Sequence, residues 1–123
     1  MPERGLGIYI AGAITGQPDY MALFDEAEQA LLAAGVPTVY NPARLYRAHY
    51  DSGESWESIM QRCLGLVGSP KVTNICMLSN WWSSPGARRE LLRFFETHWQ
   101  TPLTYCLESH RIISLPTGTH SPL

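Results

Sequence analysis

Two side chains that lie far apart in the sequence, Glu90 and Tyr9, have the types and surroundings that chemistry on a small ligand needs. Glu90 closes the run 84–90, which resembles a helix start with a serine, a proline and then a carboxylate about one and a half turns in. Tyr9 lies in the apolar run 8–12, which ends in a glycine. If both runs meet at one edge of a parallel sheet, Glu90 and Tyr9 face each other across a pocket for a small polar ligand. That arrangement suggests chemistry on a sugar.

The elements that must position these side chains alternate between strands and helices. Strands are expected over 6–11, 36–40, 72–78, 101–106 and 111–115, and helices over 20–34, over 55–67 and from 84 onward. Asp19 is a candidate cap for the first helix and Gly35 its stop, while 41–53 is expected to be irregular. The alternation predicts an α/β fold: a doubly wound, mainly parallel sheet of four to five strands, Rossmann or flavodoxin-like.

In such a fold, ligands bind beyond the carboxyl ends of the strands, where the strand order reverses. The loops 12–17 and 79–86 follow the first and third strands and are expected at that end. On a helical wheel, Glu90 falls on the inward edge of its helix beside Phe94. A glutamate there is costly to bury without a partner. It either pairs with an arginine or a backbone group, or it is functional.

Other residues of these segments have two readings each. Ser84 is a good N-cap, or its turn, with Gly86 allowing close approach, binds a ligand hydroxyl or phosphate. Trp81 and Trp82 either stack on a base or pack against a neighbouring subunit. Tyr9 is either a core tyrosine with a satisfied hydroxyl or a partner of the glutamate.

Composition and charge exclude several classes of protein. The chain has 123 residues, a net charge of −2 and no run of Lys or Arg, so binding to long nucleic acids through many phosphate contacts is not expected. No apolar run is long enough to span a membrane, and the three cysteines are expected to be reduced thiols of a cytoplasmic protein. The four histidines lack metal-ligand spacing, so we expect neither metal nor cofactor. One domain is expected over 1–115, with a flexible tail over 116–123.

Three stretches together resemble a known group of proteins: IYIAGAITGQPDY at 8–20, NPA at 41–43 and SPGARRE at 84–90. The chain is similar, over roughly 7–106, to a small and often phage-encoded family of unknown function. That family belongs to the nucleoside 2-deoxyribosyltransferase-like superfamily. The superfamily includes enzymes that exchange the bases of deoxynucleosides and hydrolases that cleave the N-glycosidic bond of nucleoside 5′-monophosphates.

The resemblance implies a role for each matching residue. Glu90 would be the nucleophile that attacks C1′ as the base leaves, and Tyr9 would hold and tune it. Ser84 and Gly86 would contact the 5′ side of the sugar or its phosphate, and Gly12 would let the backbone approach the ligand. The implied function is that of an N-glycosidase or deoxyribosyltransferase acting on a nucleoside or nucleoside 5′-monophosphate.

One departure from the superfamily pattern concerns the second carboxylate. The superfamily places an aspartate on the second helix, and the matching position here is Cys63. A thiol does not supply a carboxylate's charge, and Glu57 is the nearest carboxylate that could substitute. The alternative function is therefore a non-catalytic nucleotide-binding protein, sequestering or regulatory, with a degenerate active site.

A second departure concerns the phosphate. The superfamily hydrolases hold it with serine and arginine in the first loop, where this chain has Ala13 and Thr15, although Arg88 or Arg62 could compensate. Relatives assemble as dimers or larger, so a homo-oligomer is implied, with Trp81, Trp82 and Trp99 as interface candidates. The expected substrate-binding residues are Gly12, Ile14, Thr15, Cys63, Trp81, Ser84 and Gly86.

Overall fold

The structure, a computed structural model, describes residues 7–97, 104–108 and 111–114. Its elements, in chain order, are β1 (Gly7–Ala11), α1 (Tyr20–Ala33), β2 (Thr38–Tyr40), α2 (Pro42–Asp51), α3 (Trp56–Val67), β3 (Asn74–Leu78), a short 3₁₀ turn (Trp81–Ser83), α4 (Pro85–Thr97), β4 (Thr104–Glu108) and β5 (Arg111–Ser114). The predicted alternation of strands and helices is confirmed for most of these elements.

The strands form one sheet in the order β2-β1-β3-β4-β5. β2, β1 and β3 are parallel to one another, and β4 pairs with β3 in the same direction. Side chains are described for β1, β2 and β3. β5 pairs antiparallel with β4 at the far edge. The protein is thus of the mixed α/β class, consistent with a Rossmann-like fold, and the strand order reverses between β1 and β3.

Two apolar clusters cover the two faces of the sheet. On the first, which we call the α1 face, Ile8 and Ile10 of β1 pack with Phe24 and Leu31 of α1. The cluster on the second, the α4 face, contains Tyr9, Ala11, Ile59, Met60, Cys63, Val67, Val72, Ile75, Met77, Ala87 and Phe94. Successive residues of a strand point to opposite faces, so β1 sends its isoleucines one way and Tyr9 the other.

The first helix begins at Tyr20 and ends before Gly35, as predicted, but its expected side-chain cap does not form. Gly35 has a φ of +97°, and its amide donates to the Leu32 carbonyl while the Val36 amide donates to that of Leu31. This pattern ends a helix and favours glycine. The prediction that Asp19 caps α1 is wrong: its backbone is not extended, with φ −105° and ψ 26°, and its side chain makes no capping hydrogen bond.

The prediction that 41–53 is irregular is also wrong, because α2 occupies most of it. The Asn41 side-chain oxygen accepts a hydrogen bond from the Ala43 amide at 3.0 Å, and Pro42 takes the first helical position. An asparagine followed by a proline is a recognisable helix start. Asn41 also donates to Asp25 and Glu28 of α1, at 3.0 Å each, which ties the two helices together.

Several boundaries differ from the predictions. β2 and β3 each begin two residues later than expected, since the Val36 amide completes the end of α1 and the Val72 amide closes a turn onto the Ser69 carbonyl. The start of the predicted first strand, parts of the last two, Trp99 and the tail 116–123 lie outside the described residues. Within the described ranges, no helix is both long and apolar enough to cross a membrane.

Candidate functional site

The loops after β1 and β3 lie side by side, as the sequence predicts. The Ala13 amide donates to the Asn80 side-chain oxygen at 3.1 Å, which joins the two loops directly. Gly12 is buried, and a Cβ added there would come within 2.7 Å of the Leu78 side chain. A side chain is therefore excluded at Gly12 by packing of β1 against β3. The expectation that this glycine makes room for a ligand has no support in these contacts.

The start of α4 follows the capping pattern. The Ser84 hydroxyl oxygen accepts a hydrogen bond from the Ala87 amide at 3.1 Å, and Pro85 is the first helical residue. This confirms Ser84 as the N-cap. Gly86 packs against α3, since a Cβ there would meet the Met60 sulfur at 3.3 Å. The cap fixes the first turn of α4, and that turn sets where Glu90 lies.

Glu90 and Tyr9 meet across 81 residues of sequence. The Tyr9 hydroxyl donates a hydrogen bond of 2.5 Å to Oε2 of Glu90. Tyr9 is fully buried and Glu90 is 5% exposed. The ion pairs found among the described residues do not include Glu90. Its partner is a neutral phenol, so the carboxyl is buried without a compensating cation.

Burial is the main cause of the raised pKa values of Glu90 and Tyr9. It raises the pKa of Glu90 from 4.5 to about 8, although the hydrogen bond from Tyr9 acts in the opposite direction. Burial, and then the neighbouring Glu90 charge, also raises the pKa of Tyr9 well above 10.0. Near neutral pH the carboxyl is thus mostly protonated while the phenol stays neutral. A carboxyl with a pKa close to the working pH is suited to exchange protons or to react as a nucleophile.

Cys63 completes the buried polar group. It is a free and fully buried cysteine, and it interacts with Tyr9. Burial, and then the Glu90 charge, raises the pKa of its thiol to about 12. The thiol is therefore protonated over the whole physiological range and cannot take the place of an ionised aspartate. Its position matches the predicted neighbourhood of Glu90, but it lies within the core instead of lining the pocket.

A pocket of about 550 Å³ opens above the pair. The predicted site residues that line it are Gly12, Ile14, Thr15, Ser84, Gly86 and Glu90. Tyr9 is outside this lining, but its hydroxyl hydrogen-bonds Glu90, which belongs to it. Trp81 is half-buried, packs against the α4-face cluster and does not line the pocket. The volume falls in the range usual for small-molecule sites.

Two aromatic residues of the pocket were missed by the sequence reasoning. Tyr46 of α2 and Trp56 of α3 both line it, and Trp56 is 41% exposed. The Arg89 guanidinium lies over the Trp56 ring, 5.7 Å from its centroid. Trp56 follows Ser55, the N-cap of α3. Its exposure on the first turn of that helix is visible only in the structure, and no sequence pattern marks it as a pocket residue.

The polar residues considered as substitutes have other partners. Glu57 is exposed, pairs with Arg89 at 3.3 Å and is outside the pocket lining. The Arg88 guanidinium donates to the Trp82 carbonyl at 2.6 Å. Arg62, bound to the Glu54 carboxylate at 2.9 Å, is also outside the lining. Within the described part of the chain, no group of three acidic, histidine or cysteine residues is placed to hold a metal ion.

Comparison with known proteins gives a family and no function. No curated protein matches the chain, and no solved structure matches it. A family model described as Domain of unknown function (DUF4406) matches residues 6–97, which is most of the chain and includes β1, α2, α3 and α4. The matched segment thus holds the pocket, Glu90 and Tyr9. The chain belongs to the DUF4406 family.

Proposed function

We propose that the protein cleaves the base–sugar bond of a nucleoside or nucleoside 5′-monophosphate, as an N-glycosidase or deoxyribosyltransferase. One observation carries the proposal: the Glu90 carboxyl lies at the pocket, has no ion pair with any described residue, and accepts a 2.5 Å hydrogen bond from the Tyr9 hydroxyl at its Oε2. A doubly wound, flavodoxin-like frame is part of the proposal. The resemblance to the nucleoside 2-deoxyribosyltransferase-like superfamily supports it at the same residues.

The reaction proceeds in two displacements. Ionised Glu90 attacks C1′ through Oε1 while the C1′–N bond breaks and the base leaves with the bonding electrons, taking a proton from solvent. Tyr9 keeps Oε2 occupied, which orients the carboxylate and stabilises its charge. Water, or a second base, then attacks C1′ and frees Glu90. The transition state resembles an oxocarbenium ion, as in retaining glycosidases.

The alternative is a protein that binds the same ligand without turning it over. It is favoured by Cys63, whose thiol has a pKa raised to about 12 and cannot supply the charge of an aspartate. It is also favoured by the raised pKa of Glu90, which leaves little carboxylate at neutral pH. A slow enzyme and a pure binder differ in one measurable product, the free base.

The test is release of free base. Purified protein is incubated at pH 8 with deoxynucleosides, ribonucleosides and their 5′-monophosphates, and products are separated by chromatography. We expect one or more substrates to release base, and we expect Glu90→Gln to lower the rate by about a thousandfold or more. Glu96→Gln is the matched control, because Glu96 is an exposed carboxylate of the same helix outside the pocket lining.

Two outcomes would overturn the enzyme proposal. Base release that survives Glu90→Gln would remove Glu90 from the reaction. Ligand-dependent thermal stabilisation without any base release would leave the binding protein as the function.

The expected assembly is a cytoplasmic homo-oligomer. Trp82 is 65% exposed and precedes Ser83, which lines the pocket. A second copy packed on this side chain would border the pocket. Light scattering gives the oligomeric state of the native chain and of Trp82→Ala. We expect the native chain to be an oligomer that Trp82→Ala weakens, and a monomeric native chain would contradict the proposed assembly.

A further inference from the structure

We infer that the pocket takes an uncharged nucleoside, with its base against Trp56, and discriminates against the 5′-monophosphate of the same nucleoside. The inference rests on the proposed function and narrows its substrate class. It depends on three features of the described residues: the charge of the lining, the use of the amides at the start of α4, and the aromatic wall.

The first feature is the charge of the side chains that line the pocket. Among the described residues that line the pocket, none is Lys, Arg or His, and the carboxyl of Glu90 is present. A phosphate dianion in this space would lack a counter-charge and would lie near a carboxyl. Proteins that recognise phosphate groups usually supply arginine, lysine or several backbone amides.

The start of α4 has few amides left for a phosphate. Pro85 has no amide hydrogen, the Ala87 amide donates to the Ser84 hydroxyl oxygen, and the Arg88 amide donates to the Ser84 carbonyl. The Ser84 amide itself donates to the Trp81 carbonyl. This helix start therefore offers at most the Gly86 amide, whereas anion sites at helix ends combine several.

The two guanidinium groups that precede Glu90 in sequence, those of Arg88 and Arg89, already have other partners. Both terminal nitrogens of Arg89 lie 3.3 Å from the Glu57 carboxylate oxygens, and the group stacks on Trp56. Arg88 donates to the Trp82 carbonyl at 2.6 Å. Recruiting either for a phosphate would break these contacts. The Arg89–Glu57 pair instead fixes Trp56 while cancelling most of the charge beside it.

Trp56 is the surface that suits a base. It is a large aromatic that lines the pocket and stays 41% exposed, and it packs beside Gly86 at the start of α4. Base–aromatic stacking tolerates different bases because each has a π face. The Arg89 guanidinium over the ring restrains the indole before any ligand arrives. The polar groups of the nucleoside then face Glu90 and the loop 12–17.

The experiment is calorimetric titration of the Glu90→Gln protein, which binds without consuming its ligand. The ligands are deoxyadenosine, deoxyguanosine, deoxycytidine and thymidine, each beside its 5′-monophosphate. For the base that binds best, we expect the nucleoside to bind at least tenfold more tightly than its monophosphate. Trp56→Ala should weaken nucleoside binding by about tenfold or more, and Trp56→Phe by much less. Phe95→Ala is the matched control, since Phe95 is 42% exposed and outside the lining.

The outcomes separate this inference from the proposed function. Equal or tighter binding of the monophosphate overturns the inference, even if native protein releases base from both. Unchanged nucleoside binding by Trp56→Ala overturns the stacking role. Tight nucleoside binding with no base release by native protein supports the inference and overturns the enzyme. If neither ligand class binds, the inference fails, while base release by native protein still decides the proposed function. The comparison of nucleoside with monophosphate needs no Trp56 variant and therefore does not depend on its folding.

Discussion

The two faces of the sheet are built from the same strands but bury different chemistry. On the α1 face, Ile8 and Ile10 of β1 pack into an apolar cluster, and its nearby carboxylates have partners at the rim. Arg44 lies 3.3 Å from Asp25 and 2.9 Å from Glu28 there, where water also reaches the ions. On the α4 face, the alternate residue Tyr9 carries a hydroxyl into the core and meets Glu90.

Under the proposed function, this difference separates carboxylates that only stabilise the fold from a carboxyl that serves a reaction. A carboxylate that only stabilises a fold is best placed at the surface with an arginine, as on the α1 face. Glu90 is placed inside, with a pKa raised to about 8 and a phenol as partner, beside a cavity. Burial of this kind costs stability and is expected where a reaction or a ligand needs it.

The largest effect should appear in the pH dependence of stability. The pKa of Glu90 is about 8 in the folded protein against 4.5 in the unfolded chain, so the folded state binds the extra proton between these values. The free energy of unfolding should therefore fall as pH rises from about 4.5 to about 8. The slope should be on the order of 1.4 kcal/mol per pH unit. Guanidinium unfolding at pH 5, 6.5 and 8 measures it.

The control for this experiment is a carboxyl on the same helix. Glu90→Gln removes the titrating group and should flatten the slope, whereas Glu96→Gln should leave it as in the native chain because Glu96 is exposed. Equal slopes in the native protein and in Glu90→Gln would mean that the carboxyl is not held neutral, and the contrast between the faces would be lost.

The next effect is on the rate of base release. A nucleophilic Glu90 must be ionised, and its pKa is raised to about 8. The ionised fraction, and with it kcat/KM, should rise by about fiftyfold between pH 6 and pH 8. A rate that falls over this range would instead make Glu90 a general acid. The profile is measured on one substrate at constant ionic strength, with the native chain and Glu96→Gln.

Tyr9→Phe should have an effect of intermediate size. It removes the hydrogen bond that lowers the pKa of Glu90, so the rising limb of the rate profile should move to higher pH. The free energy of unfolding should fall by about 1–3 kcal/mol at pH 8, because a buried acceptor loses its donor. Tyr40→Phe, on half-buried Tyr40 of β2, is the control. If the rising limb of the rate profile stays at the same pH in Tyr9→Phe, Tyr9 does not influence the pKa of Glu90.

Local patterns predicted the parts of this site that lie on regular elements. The helical wheel placed Glu90 on the inward edge of its helix, and the serine–proline pair marked where that helix begins. Strand alternation placed Tyr9 among core residues. In each case the position within the element decides which way the side chain points.

The rest depended on contacts between elements. Asn41 and Pro42 form a helix-start signal for α2, but the polar and aromatic residues that follow do not show a clear helical pattern of apolar positions. The sequence around Trp56 and the sequence around Trp81 do not show which of the two tryptophans lines the pocket. That Trp56 does so follows from how α3 packs on α4 beside Gly86. That no described cation pairs with Glu90 is likewise a tertiary fact, since Arg88 and Arg89 directly precede it in sequence and bind elsewhere.

The smallest effect should come from the α1 face. Ile10→Val removes one buried methylene from the apolar cluster and should lower the free energy of unfolding by about 0.5–1.5 kcal/mol. Its pH dependence of stability and its rate profile should match those of the native chain. A shifted rate profile would show that the two faces are coupled, and the division between structural and functional burial would need revision.

The most direct measurement is the mass of the protein during turnover. Native protein mixed with its best substrate is quenched in acid within the first turnover, digested and analysed by mass spectrometry. The account predicts that the peptide containing Glu90 gains the mass of the sugar, and that Glu90→Gln shows no such gain. Base release with the sugar on another residue, or with no sugar on the protein at any time point, would contradict Glu90 as the nucleophile.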